Sequence, residues 1–252
     1  SEPIQLTAPV AVSELPTPAL VLERSILQRN IESMRDFLVA EGKGFRPHSK
    51  THKCPVIAKL QMEAGAVGVC AAKLSEAVAL INSGLTEILI TSPIVSKSKL
   101  EILNKVLPIG SDHDINIVID SMVGLEGLLE CLDNDKFIGV LVDLDISMAR
   151  TGLRSDEDLM RLLEKIQKTD RIKFKGIQHY AGYLMHLDNY GKRKEKSLNA
   201  WQTLEDKFLI LERAGFSCEI VTGGGTGSYD IDDHVERLTD LQVGSYIFMD
   251  EE

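Results

Sequence analysis

The chain has 252 residues, enough for one large domain or two modest ones and for a sizeable core without disulfides or a structural metal. With 44% apolar and 26% charged residues and no apolar run of membrane-span length, the composition excludes disorder, a collagen-like or coiled-coil build and a membrane helix. A net charge of −10 leaves no basic stripe for phosphate backbones and argues against a nucleic-acid binder, although a local basic pocket for one small anion stays open.

The N-terminus SEPIQLTAPVAV has neither a basic region nor a long apolar run, so no secretory signal is visible and a cytoplasmic protein is expected. An extended piece ends in Ala19–Leu22. Glu23–Glu41 then carries Ile26, Leu27, Ile31, Met34 and Leu38 at helical spacing, and Gly42 and Gly44 close the helix. Strands are predicted at Gly44–Pro47, Val67–Ala71, Glu87–Thr91, Ile115–Asp120, Ile138–Asp145, Lys173–His179, Glu219–Thr222 and Thr239–Val243. Helices are predicted between them at Pro55–Ala64, Leu74–Ser83, Lys97–Val106, Met122–Leu132, Asp156–Lys168 and Lys192–Ala214. Cys54, Cys70, Cys131 and Cys218 are scattered with no CxxC pair, which reads as free thiols in a reducing compartment.

Eight strands nearly all separated by helices imply parallel pairing through right-handed crossovers, and the length suits a closed α/β (β/α)8 barrel of the TIM type. A doubly wound open sheet is the alternative. The extended piece near Pro16–Leu22 has no partner in such a barrel. It either plugs the barrel's bottom or pairs with a sheet elsewhere.

In a barrel of this kind chemistry gathers on the loops that follow the strands, and four of them are chemically loaded. After the first strand comes RPHSKTHKCP, with Arg46, His48, Lys50, His52 and Lys53. Crowded like charge lowers a lysine pKa and prepares its amine for attack on a carbonyl. A metal held by His48 and His52 is a competing reading, and a basic surface loop is the bland one. After the fifth strand, DLDISMARTG offers Asp143, Asp145 and Arg150, either an anion-holding arginine or an Arg150–Asp ion pair at the rim.

After the sixth strand, QHYAGYLMH brings Gln178, His179, Tyr180, Tyr183 and His186, where Tyr180 could stack on a planar ligand and His186 could act as a base. After the seventh, VTGGGTGSY supplies Gly223, Gly224, Gly225, Thr226, Gly227 and Ser228, whose amides and hydroxyls can converge on an anion. It is neither a Walker A nor a first-turn GxGxxG motif. Its place after strand seven, with Gly244 and Ser245 following strand eight, points to a phosphate site. A reactive lysine, a phosphate cradle and a tyrosine at one barrel mouth describe pyridoxal 5′-phosphate (PLP) bound as an internal aldimine.

RPHSKTHKCP, AGAVGVCAAKLSEA (Ala64–Ala77), DLDISMARTG, QHYAGY, VTGGGTGSY and QVGSYIFMD occur in the order found in the D-threonine aldolase and D-serine dehydratase group. From about Thr17 to its last residue the chain resembles this family of PLP enzymes, whose barrel is similar to the N-terminal domain of alanine racemase (fold type III). The resemblance implies that Lys50, rather than Lys53, forms the Schiff base. It implies that Arg150 lies near the cofactor's ring oxygen and Tyr180 near its pyridine nitrogen. Gly225, Thr226, Gly244 and Ser245 would bind its phosphate, and His186 would be the base beside the substrate.

The same resemblance implies a C-terminal β-domain beyond this chain, paired with the extended segment 1–22, while residues 23–252 form the PLP barrel. A divalent metal (Mn, Mg or Zn) would be held by ligands in that further domain, none of them in this chain. The implied activity is that of a lyase of D-β-hydroxy amino acids in amino acid metabolism, foremost a metal-dependent D-threonine aldolase. D-serine dehydratase, amino-acid racemase and a non-catalytic PLP-homeostasis carrier are the alternatives. A small D-amino acid substrate and a homodimer are the expected partners.

Overall fold

A computed structural model describes residues 8–145 and 148–248. Among these residues eight strands form one parallel sheet: β1 (Gly44–Phe45), β2 (Val69–Ala71), β3 (Glu87–Ile90), β4 (Asp114–Ile119), β5 (Ile138–Leu144), β6 (Ile172–His179), β7 (Ile220–Gly223) and β8 (Asp240–Leu241). Neighbours in the sheet are neighbours in sequence, except that β8 returns to lie beside β1. Beyond that ladder, Val67 N–H donates to the Phe45 carbonyl and Cys70 N–H to the Pro47 carbonyl, each at 2.8 Å. His48 and Cys70 form a parallel bridge at the same seam. These contacts join the sheet's two edges, so the (β/α)8 barrel is the observed architecture and the open sheet is set aside.

The helices pack outside the ring, and each follows from its apolar spacing. In α1 (Arg24–Ala40) Leu27, Ile31, Met34 and Leu38 are buried, a stripe at intervals of three and four. In α6 (Asp156–Gln167) Leu159, Leu162, Leu163 and Ile166 are buried, Ser155 accepts from Asp158 N–H, and Asp156, Glu157 and Asp158 suit the positive end of the helix dipole. The other connections are α2 (Pro55–Glu63), α3 (Leu74–Asn82), α4 (Lys97–Val106), α5 (Met122–Cys131), α7 (Tyr190–Gln202), α8 (Glu205–Arg213) and α9 (Tyr229–Asp232).

The barrel's interior is layered by the two-residue alternation of its strands. Near the base Arg46 pairs with Asp240, and Asn116 is fully buried. Cys70, Leu89, Val118, Leu141 and Ile220 form an apolar layer separate from the main core. Above it His48, Thr91, Asp143, Gln178, Thr222 and Gln242 make a buried polar layer beneath the mouth.

Two expectations change, and the extended piece has no strand partner among the described residues. The helix expected over Lys192–Ala214 is two, broken at Thr203–Leu204, where the Thr203 hydroxyl donates to Ala200 O at 2.8 Å and competes with the helical ladder. The strand-seven to strand-eight connection carries the short α9, which has no apolar period long enough to be seen in sequence. The extended piece does not pair within the described residues: it forms no strand, and Leu20, Val21 and Leu22 are exposed. Residues 1–7 and 249–252 lie outside the described residues.

Candidate active site

The first loop is not a cluster of free cations. Arg46 is buried with Asp240, its Nε 2.8 Å from Oδ1. His48 and His52 stand two residues either side of Lys50, and the hydrogen bonds around each fix its tautomer. Lys50 N–H donates to His48 Nδ1 and Cys54 N–H donates to His52 Nδ1, at 3.4 and 3.0 Å, so each ring carries its proton on Nε2. His48 Nε2 then meets Thr91 Oγ1 at 3.2 Å and His52 Nε2 meets Gln61 Oε1 at 3.3 Å. With both nitrogens engaged on both rings, the two-histidine metal reading is set aside. Burial lowers both imidazole pKa values, that of His48 to about 3.

Lys50 sits in the 3-10 turn Ser49–Thr51, which His48 caps and which the Ser49 hydroxyl ties to Cys70 O at 2.8 Å. Its side chain is exposed toward the mouth, yet the surrounding walls desolvate the amine and lower its pKa. Cys70 opposes that shift, and Arg150, from the fifth loop, reinforces it. The expected direction therefore arises mainly from burial and not from crowding within the loop. Cys70 itself is buried, its thiol pushed up to about 12, so it is no nucleophile. Lys53, at φ +50°, is exposed and does not line the cavity.

A cavity of about 230 Å³ opens at the strands' C-terminal ends. Lys50, Arg150, Tyr180, Gly225, Thr226, Gly244 and Ser245 all line it. The Tyr180 ring meets both cations, 5.5 Å from Lys50 Nζ and 5.4 Å from Arg150 Cζ. Arg150 makes no ion pair among the described residues; Arg154 takes Asp145 instead, at 2.6 Å. The loop carrying Arg150 folds back on β5, and Gly152 is required there, since at φ +103° a Cβ would lie 2.6 Å from Asp145 N.

The floor is a sealed network. Gln178 donates to Asp143 Oδ1 at 3.0 Å and to Thr91 O at 3.1 Å, and its own oxygen accepts from Gln242 at 3.1 Å. Thr151 donates to Asp143 Oδ2 at 2.8 Å, and burial raises the Asp143 pKa against these bonds.

On the far wall the glycine loop and the segment after β8 meet through Thr226, whose Oγ1 accepts from Gly244 N–H and Tyr246 N–H, both at 3.1 Å. With its lone pairs taken, the hydroxyl is left to donate. The amides of Gly225, Thr226, Gly227 and Ser245 find no acceptor among the described residues. Gly224, at φ +64°, turns the loop over the buried Asp232, which accepts from Ser228, Ser197 and Trp201 at 2.5, 2.6 and 3.1 Å. One hydroxyl and several unpaired amides facing one cavity suit a small dianion such as a phosphate monoester.

His186 ends the 3-10 turn Gly182–His186 and is exposed; its neighbour Met185, not His186, lines the cavity. Among the described residues no group of three His, Cys, Asp or Glu side chains is arranged to hold a metal. Thr91, Gln242 and Met185 line the cavity and Gln61 is buried outside it, none of them among the candidate residues that the sequence motifs single out. For Thr91 and Gln242 a signal existed: both are polar residues at inward-facing positions near the C-terminal end of a strand.

Residues 23–252 match the family model described as alanine racemase, N-terminal domain. A 3-hydroxy-D-aspartate aldolase from Paracoccus denitrificans (strain Pd 1222) is 33% identical over 94% of this chain and 62% of its own length. A D-threonine aldolase from an Arthrobacter species is 31% identical over 95% of this chain and 62% of its own length. In structure, the D-threonine aldolase from Filomicrobium marinum matches with a TM-score of 0.88 and 34% identity, over 95% of this chain and 64% of that one. The chain thus spans about three fifths of the length of these relatives, 62% for the first two and 64% for the third.

Proposed function

The chain belongs to the family of the alanine racemase N-terminal domain, and on that premise we propose that it is the cofactor-binding barrel of a PLP-dependent lyase of D-β-hydroxy amino acids, foremost an aldolase of the D-threonine type. The observation that carries the reading is the convergence of one desolvated lysine, one arginine without an ion pair among the described residues and an anion cradle on a single cavity of about 230 Å³. The aldolase relatives, each over 30% identical, direct the choice of reaction.

When bound, PLP supplies an electron sink for the bond that breaks. This chain's residues supply its setting. Lys50 is the attachment point: its lowered pKa keeps a larger fraction of the amine neutral, the form that attacks a carbonyl and can later accept a proton. Thr226 and the amides of Gly225 and Ser245, which find no acceptor among the described residues, would hold the phosphate, with Gly244 beside them. Arg150 would hold the cofactor's ring oxygen, and Tyr180, whose ring lies 5.4 Å from that guanidinium, would meet its pyridine. The buried floor residues Asp143, Gln178 and Gln242 are already hydrogen-bonded to one another.

His186, exposed one residue beyond the cavity-lining Met185, is the proposed base for the substrate's β-hydroxyl. A divalent metal belongs to the same proposal, and among the described residues no group of three His, Cys, Asp or Glu side chains is arranged to hold one. A homodimer and a cytoplasmic setting belong to the same proposal, and no helix of the described residues is long and apolar enough to cross a membrane.

The test is the visible spectrum of the full-length protein before and after borohydride, with peptide mapping of the reduced adduct. A band abolished by reduction, with the label on Lys50, is expected. D-threonine and D-3-hydroxyaspartate are then supplied with Mn, Mg or Zn. Glycine and an aldehyde mark an aldolase; a 2-oxo acid and ammonia would turn the assignment to a dehydratase. A label on Lys53, or no adduct from a folded protein, overturns the cofactor reading.

A further inference from the structure

The turn that carries Lys50 and the segment that carries Gly244 and Ser245 lie side by side. His48 N–H donates to Val243 O at 2.8 Å, and a Cβ on Gly244 would come within 2.9 Å of Thr51 Oγ1. A third link passes through a residue outside the cavity. Gln61 on α2 is 1% exposed, a full amide in the apolar space between helix and barrel. Burial on that scale demands partners for both of its ends.

Those partners are dictated one by one. Cys54 N–H occupies His52 Nδ1, so His52 donates from Nε2 and Gln61 must turn its oxygen toward the ring. The amide nitrogen is thereby aimed at Tyr246 Oη, 2.7 Å away. The tyrosine ring is held edge-on against Phe45, with centroids 5.8 Å apart. Tyr246's own amide donates to Thr226 Oγ1 at 3.1 Å, beside that of Gly244. Hydrogen bonds from His52 to Gln61 to the Tyr246 hydroxyl, and from the Tyr246 backbone amide to Thr226, therefore link the residue two places past Lys50 to the hydroxyl of the cradle.

We propose that Gln61 is a positioning residue that couples the Lys50 turn to the anion cradle, fixing the spacing at which one bound molecule meets both. This rests on the reading of Lys50 as the attachment point. A molecule that carries an aldehyde and a phosphate gains from both ends only if that spacing is held; otherwise binding at the cradle no longer presents the aldehyde to the amine. Each half of the site survives the loss of Gln61, and the advantage of joining them does not.

The test uses three probes on the full-length protein and its Gln61→Met variant, which keeps the side chain's length and removes both hydrogen bonds. PLP reports both halves together, pyridoxal reports the lysine alone, and inorganic phosphate, as a competitor, reports the cradle alone. The readout is the borohydride-trapped adduct at Lys50, in which the amine nitrogen bonds to the aldehyde carbon and water leaves before reduction. Adduct formation with PLP should slow about tenfold in Gln61→Met, while the pyridoxal rate and the phosphate affinity stay within about twofold. Tyr246→Phe, which breaks the same path at its other end and keeps the ring, should show the same selective loss. Gln61→Glu can accept from both His52 and the Tyr246 hydroxyl and should restore most of the PLP rate.

Equal losses with all three probes would make Gln61 a merely structural residue and overturn the coupling, as would no loss at all. A folded wild-type protein that forms no adduct at Lys50 would overturn the function reading itself and this inference with it. A wild-type adduct accompanied by unselective losses overturns only the inference.

Discussion

Arg46, just past β1, and Asp240, on β8, form an ion pair inside the barrel, 2.8 Å from Nε to Oδ1, with side chains only 3% and 4% exposed. It spans the β1–β8 ladder, which is only two residues long on each side, and Arg46 Nη1 has no hydrogen-bond partner among the described residues. Removing one member leaves the other charge buried and alone. Asp240→Ala is therefore expected to cost ~3–5 kcal/mol of unfolding free energy, and Arg46→Met combined with Asp240→Leu to recover most of it. Urea denaturation of the three proteins checks both parts.

The Thr226 hydroxyl organises the cradle by accepting from Gly244 and Tyr246 N–H, which leaves its own proton to donate. Thr226→Val keeps the shape, strips the acceptor from two amides and removes the donor. The dissociation constant for PLP should rise about tenfold or more, with little change for pyridoxal. Equilibrium titration by absorbance distinguishes the two.

His48 gives the fold a pH dependence whose sign is set by its depressed pKa. Above its ordinary 6.5 the imidazole is neutral folded or unfolded and adds nothing. Between 6.5 and about 3 the unfolded chain binds a proton that the folded chain refuses, so stability falls as pH falls. The slope this site adds is at most ~1.4 kcal/mol per pH unit. Denaturation curves at pH 7.0, 5.5 and 4.5, pH points chosen as about one and a half units and then one unit apart, should show the decline, and His48→Asn should make it shallower.

Asp232 holds the glycine loop to α7 by accepting from Ser228, Ser197 and Trp201. It is 1% exposed, and burial raises its pKa against those three bonds. Asp232→Ala strands three donors and should destabilise the protein by ~3 kcal/mol while weakening phosphate binding. Asp232→Asn, which retains an acceptor oxygen, should be milder on both counts. Thermal unfolding and phosphate competition report the two effects separately.

Much of this was legible in the linear pattern. The alternation of β-rich and helical stretches led to eight parallel strands and a barrel, because each period reports which side of an element must be buried. Placing Lys50, Arg150, Tyr180, Gly225, Thr226, Gly244 and Ser245 after strands was enough to bring them to one mouth. The break at Thr203–Leu204 was not legible, since neither residue is a glycine or proline and the competing bond is made only within the formed helix.

What the sequence by itself determined is the order and type of the elements and which residues stand at the strand ends, because these depend on local spacing and on the short reach of the chain. What only the tertiary structure decided is the state of each group once it is there. Arg46, read as part of a basic loop, is neutralised by Asp240, 194 positions away. His48 and His52 are neutral rings because burial in the closed barrel disfavours their charge, and Thr91 and Gln61 meet their Nε2 atoms. His186, close in sequence to Tyr180, faces solvent while Met185 faces the cavity. Charge, tautomer and direction depend on desolvation and on partners brought from distant segments, and those exist only when the barrel closes.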